Sequence, residues 1–236
     1  MAAPAFVLLH SPLVGPGSWT KVATQLSQQG FDTVVPRLSG AFDEGAPYYP
    51  KLVRHVVDAV RIAVPAGDLV VVGHSGAGAL IPAITREIPA AGAIFVDALL
   101  PHPGKAWFDT APADLKAHLL SLAKDGRVPR WHEWWPQGAI AKLLGDETIT
   151  ENFISGLCEL PLAYFEEAAP DVRLPTMIGC AYLQLSKATR ADADAAAAMG
   201  WPVLQRPAHH LAMLVDPADV AADLVMLSAT IGVGVQ

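Results

Sequence analysis

The sequence of 236 residues has only two cysteines, Cys158 and Cys180. They stand in unlike contexts and without metal-ligand spacing, so the chain reads as reduced and disulfide-free, with Cys180 a core residue in its apolar run. Charge is scarce: Asp, Glu, Lys and Arg make up 17% of the residues, the formal net charge is -7, and Lys and Arg form no cluster. That balance argues against nucleic acid or an anionic membrane as partner and leaves a small molecule. Long apolar runs are missing too. Although 52% of the residues are hydrophobic, no run reaches the ~18 that a membrane span needs. The opening MAAPAFVLLH has no basic segment ahead of its short apolar run, so no secretion signal is read and the expected compartment is the cytoplasm. Neither H-E-x-x-H nor a G-x-G-x-x-G after a strand occurs, and His102, His118 and His132 show no ligand spacing. No metal and no cofactor are expected.

What the sequence has is alternation. Short apolar runs of β type recur at AFVLL (from Ala5), DTVVP (Asp32), DLVVV (Asp68), AIFV (Ala93), TMIGCAYL (Thr176) and WPVLQ (Trp201). Runs apolar on both faces are the mark of buried parallel strands. Helical spacing lies between most of them: Trp19, Val22, Ala23 and Leu26 before Gly30, and Leu52, Val56, Ala59, Val60 and Ala63 before Pro65. The last helix has Asp216 as its expected cap, Pro217 in its first turn, Asp219 near its N-terminus, and Val220, Leu224 and Leu227 as its buried stripe. ATRADADAAAAM, from Ala188 to Met199, reads as a helix ended by Gly200. The expected fold is α/β, an approximately six-stranded, mostly parallel sheet with helices on both faces. At this length the chain can bury about 70 to 75% of its unfolded surface as one domain. The alternation fails once, between Leu99 and Arg173, where no strand is read. The division is therefore a core of 1–98 and 174–236 with a helical cap, 99–173, inserted in it.

In GHSGA, Gly73 to Ala77, a serine is placed between a strand and a helix with small neighbours. A nucleophile at the tip of such a turn has a strained backbone, and the helix can pass close to the strand only if those neighbours are small. The Gly76 amide would then point at the site, where it can donate to an oxyanion. A glycine-rich turn with no chemistry fits the same residues.

Four stretches together resemble the α/β-hydrolase superfamily, in particular its esterase and hydroxynitrile lyase branch: FVLLHSPLVGPGSW (Phe6–Trp19), GHSGAG (Gly73–Gly78), FVDALLP (Phe95–Pro101) and HHLAMLVDP (His209–Pro217). The resemblance implies a Ser75 nucleophile and a histidine base followed by M-L-x-x-P. That spacing selects His210, with His209 as the alternative. A serine hydroxyl is a poor nucleophile at neutral pH until an imidazole takes its proton and later returns one to the leaving group. The superfamily most often places its acid just after the strand TMIGCAYL, yet QLSKATR, Gln184 to Arg190, has no carboxylate. Asp97, at the end of the preceding strand, is the expected acid, and Asp192 the reserve. The oxyanion loop departs as well, because the usual glycine is Ser11 and the next residue is Pro12, which has no N–H. Leu13 is then the expected second donor beside Gly76, with the Ser11 hydroxyl as the alternative. Trp131 and Trp134, with Trp107, Phe108, Tyr164 and Phe165 nearby, would give the cap an apolar substrate pocket.

The function implied is a cofactor-free serine hydrolase acting on an ester, thioester or lactone of a small apolar molecule. A lyase, a cofactor-independent oxygenase and a binding protein on the same scaffold are the alternatives.

Overall fold

The computed structural model describes residues 3–64 and 67–234. Met1, Ala2 and the helix stop assigned to Pro65 lie outside the described residues.

Six strands form one parallel sheet: β1 (Ala5–Leu9), β2 (Thr33–Val34), β3 (Leu69–His74), β4 (Ala90–Val96), β7 (Gly179–Gln184) and β8 (Val203–Gln205), in the order β2-β1-β3-β4-β7-β8. They coincide with the six apolar runs of the sequence. β1 and β3 are buried at every position, as strands covered on both faces must be. The register sets Leu9 beside Gly73, Gly73 beside Phe95 and Phe95 beside Tyr182. The carboxyl ends of these four strands therefore lie level, and the residues just beyond them, from His10, Ser75, Asp97 and Leu185 onward, collect at one edge. Functional groups gather there in open α/β sheets.

The helix Gly17–Gln28 buries Trp19, Val22 and Leu26, and the helix Tyr49–Ala63 buries Tyr49, Leu52, Val56, Val57 and Val60. Ala63, assigned to the second stripe from spacing, is exposed in its last turn. The final helix, Pro217–Thr230, buries Val220, Leu224 and Leu227, but Asp216 makes no side-chain capping bond. Its N–H donates to Ala212 O (2.8 Å), closing the preceding turn. Asp219 pairs with Arg206 (3.0 Å).

Between β4 and β7 lie the helices Ala113–Leu122, Ala139–Leu144 and Glu147–Ser155, with shorter turns. The segment is not purely helical, contrary to the sequence reading. β5 (Arg127–Val128) and β6 (Leu160–Pro161) pair antiparallel, Val128 beside Leu160. Two residues are too few to show period-two alternation, and Pro161 is a poor strand signal. Glu167 ties this insertion to the core by accepting from the Tyr48 amide (2.7 and 2.8 Å) and the Tyr49 amide (2.8 Å). These are otherwise unpaired donors at a helix start.

Candidate active site

β3 ends at His74, and Ser75 opens a 3-10 turn, Ser75–Leu80, that runs into the helix Ile81–Glu87. Ser75 has φ +56°, a conformation that L residues other than Asn, Asp and His rarely adopt. Two glycines make the turn possible. A Cβ on Gly78 would lie 2.0 Å from the Leu99 carbonyl oxygen, and one on Gly73 would lie 2.7 Å from Ile81 Cδ1. Leu99 N–H closes the turn on Ser75 O (3.2 Å). A serine held in a strained, half-buried conformation at a strand end is where sites store strain.

His210 Nδ1 lies 2.7 Å from Asp97 Oδ2. Asp97 is fully buried and, like Ser75, has a positive φ, +44°. Its Oδ1 accepts from the Leu185 amide (2.8 Å), the Ser186 amide (2.8 Å) and the Thr189 hydroxyl (2.5 Å). Ser186 Oγ donates to Oδ2 (2.6 Å). Burial works to raise the carboxyl pKa, but the hydrogen bond and charge of His210, with the Ser186 and Thr189 hydroxyls, together hold it well below the usual carboxylate range. An ionised carboxylate only accepts. His210 Nδ1 therefore carries the proton in the neutral ring and Nε2 keeps its lone pair. Among the described residues the Ser75 hydroxyl makes no hydrogen bond. Nucleophile-base contacts are often long before substrate binds.

The reserve candidates sit elsewhere. Asp192 Oδ1 accepts from the Leu100 amide (2.9 Å), tying the helix Arg190–Ala198 to the chain beyond β4. His209 Nδ1 accepts from the Leu211 amide (3.2 Å) within its own loop.

At the end of β1, His10 Nδ1–H donates to Ser11 O (2.8 Å) and Nε2 accepts from Leu38 N–H (3.3 Å). Burial lowers its pKa to about 4, so the ring is a neutral brace. The Leu13 amide is turned onto Ser11 Oγ (3.3 Å), and that hydroxyl lies 3.4 Å from where a Cβ on Gly76 would be. Ser11, rather than Leu13, is thus the polar group beside Gly76.

Trp131 reaches the site, its ring centroid 6.1 Å from that of His210, backed by Phe153 (6.1 Å) and Trp135 (5.9 Å). Trp134 packs inward instead, against Trp107 (6.5 Å) and Phe165 (6.0 Å), with Nε1–H on Pro129 O (2.8 Å). The Asp97 cradle of Ser186 and Thr189 escaped the sequence reading, although a pair of hydroxyls where a carboxylate was sought was its visible trace.

Among the described residues no group of three or more His, Cys, Asp or Glu side chains is placed to hold a metal ion, and no helix is long and apolar enough to cross a membrane. No curated protein matches the chain. Among solved structures, an extracellular alpha/beta-hydrolase from a Paenibacillus species, described as sharing structural and functional homology with tobacco salicylic acid binding protein 2, superposes with a TM-score of 0.76 at 18% identity, over 95% of this chain and 98% of that one. Polyneuridine aldehyde esterase superposes with a TM-score of 0.71 at 17% identity, over 96% and 99%. Tomato methylketone synthase I, in complex with 2-tridecanone, gives 0.73 at 14% identity, over 98% and 100%. At such identities the likeness is one of fold. The pattern of the alpha/beta hydrolase family matches residues 6–223, nearly the whole described chain, and with the sheet order and the strained Ser75 turn this shows that the protein belongs to that family.

Proposed function

We propose that the protein is a serine hydrolase that cleaves an ester, thioester or lactone bond of a small apolar molecule through an acyl-Ser75 intermediate, with no cofactor. The observation that carries this reading is the 2.7 Å hydrogen bond between His210 Nδ1 and buried Asp97, beside a serine strained at φ +56°. His210 Nε2 takes the Ser75 proton as Oγ attacks the acyl carbon. Asp97 stays ionised and stabilises the imidazolium. The Gly76 amide and the Ser11 hydroxyl receive the developing oxyanion; Leu13 N–H, bonded to Ser11 Oγ, polarises that hydroxyl and takes the supporting role. His210 then protonates the leaving oxygen or sulfur, and water releases the acyl group by the reverse sequence.

Trp131 forms the apolar wall facing His210, and the insertion acts as the cap. Trp134 packs within the insertion, against Trp107 and Phe165. The esterase and hydrolase activities named for similar folds agree with this reading.

The test is a panel of p-nitrophenyl esters from acetyl to octanoyl, with Ser75→Ala as control. Turnover should fall by at least ~10³-fold in the variant. A variant keeping more than a tenth of wild-type activity removes Ser75 from the reaction. One observation favours a second reading, a non-hydrolytic reaction or simple binding on this scaffold: the oxyanion loop has Pro12, which has no N–H, after Ser11. Turnover or tight binding that survives Ser75→Ala would favour it.

A further inference from the structure

One buried imidazole takes no part in the chemistry above. His74 ends β3 beside Ser75 and is completely buried. Its Nε2 lies 2.9 Å from the carbonyl oxygen of His210. A carbonyl only accepts, so Nε2 carries the proton and Nδ1 keeps the lone pair. The ring also lies against that of His210, centroids 4.5 Å apart at 39°. On the helix Gly17–Gln28, Trp19 meets His74 edge-on at 6.2 Å. Nδ1 of His74 and Nε1 of Trp19 are both buried without a partner among the described residues, a lone pair and a donor on adjoining rings.

We propose that His74 is a positioning residue for His210: its Nε2–H fastens the His210 main chain to the end of β3, and its neutral ring bounds one face of the His210 imidazole. Asp97 holds the side chain of His210 at Nδ1, and His74 holds its carbonyl. Anchored on two different atoms, His210 is left with Nε2 as its free edge. The second anchor belongs to the residue adjacent to Ser75, so the base is fixed relative to the nucleophile's own turn. Small displacements of a reacting group are costly, which gives such an anchor kinetic weight.

The ring must also stay uncharged, since a cation 4.5 Å away would oppose the imidazolium that His210 becomes. The ionisable groups facing it are His10 beyond β1, Asp97 beyond β4 and His210 itself. Burial first, then the charge of His210, lowers the His74 pKa well below its ordinary value, against the pull of Asp97, so the ring is held neutral.

The kinetic arm of the test rests on the acyl-transfer reading; the spectroscopic arm does not. His74→Phe keeps a ring and loses the donor, whereas His74→Gln keeps a donor near the place of Nε2. With p-nitrophenyl acetate, His74→Phe should lower kcat about 10- to 100-fold with KM changed less than about threefold, and His74→Gln should recover most of the loss. By NMR, the low-field proton of the His210–Asp97 hydrogen bond should be lost or broadened in His74→Phe and retained in His74→Gln. If the Phe variant does not fold, His74→Asn, too short to reach the carbonyl, takes its place. A donor-free variant with wild-type kcat and an unchanged low-field proton overturns the proposal. So does a folded Gln variant no better than Phe, which would leave ring packing as the only role. Absence of ester turnover in the wild type would sink the reaction and leave the NMR comparison to decide the anchor.

Discussion

Ser186 Oγ lies 2.6 Å from Asp97 Oδ2, the same carboxylate oxygen that accepts from His210 Nδ1 at 2.7 Å. One oxygen thus serves the base and a hydroxyl from the end of β7, and three further donors hold its twin.

This arrangement predicts a graded series. Asp97→Asn should preserve the fold but favour the wrong imidazole tautomer, lowering kcat by as much as ~10⁴-fold with little change in KM. Ser186→Ala should cost only about 3- to 10-fold in kcat, one hydrogen bond to a charged group being lost while the carboxylate remains. The Ser186 hydroxyl stabilises the ionised carboxyl. A loss as large as that of Asp97→Asn would contradict this. Asp192→Asn should spare turnover, since its bond to the Leu100 amide can be kept by an amide oxygen. A large loss confined to Asp192→Asn would move the acid away from Asp97.

The two glycines of the serine turn should differ in their tolerance. A methyl at Gly78 meets the main-chain carbonyl of Leu99, whereas one at Gly73 meets the tip of the Ile81 side chain. Gly78→Ala should destabilise by about 3 kcal/mol or fail to fold, and Gly73→Ala by about 1 kcal/mol. Urea unfolding of the two variants checks this; equal losses would mean that the turn adjusts as a unit.

Trp131 and Trp134 should separate by readout. Trp131→Ala removes the wall beside His210 and should raise the ratio of octanoyl to acetyl ester kcat/KM several-fold. Trp134→Phe should leave that ratio unchanged and cost about 1 kcal/mol of stability, through its lost bond to Pro129 O. If the ratio follows Trp134 instead, the wrong tryptophan faces the substrate.

Acid should weaken the fold through His10. Its pKa is lowered from 6.5 to about 4 in the folded state by burial. The unfolded chain therefore binds a proton that the folded one refuses between those values. Stability is unaffected above the unfolded value and falls as pH drops from about 6.5 toward 4, with a slope near 1.4 kcal/mol per pH unit for each such group. His10→Gln, which can still accept from Leu38 N–H, should show a shallower decline in urea unfolding from pH 7 to 4.5. An unchanged slope would mean that His10 does not carry this part.

The sheet was legible because each of its strands is apolar on both faces and bounded by turn residues, as in DLVVVGHSG. The ribbon at Val128 and Leu160 was not, because a two-residue pairing has no periodicity to read. Ser75 and His210 could be proposed from local spacing. Asp97 was one candidate of two, since its hydrogen bonds come from Leu185, Ser186 and Thr189 beyond the next strand, far away in sequence. The Leu13 amide looked free because Pro12 removed its neighbour; that Ser11 would turn its hydroxyl onto that amide is a matter of tertiary geometry. Trp131 and Trp134, three residues apart on one turn, gave no sign that only one reaches His210.

A Ser75 nucleophile activated by His210 should react with a fluorophosphonate probe. Intact-mass and peptide analysis should then find one adduct per chain, located on Ser75, abolished in Ser75→Ala, slowed strongly in His210→Ala and little changed in His209→Ala. A folded protein that forms no adduct, or one whose adduct persists in Ser75→Ala, would contradict that role.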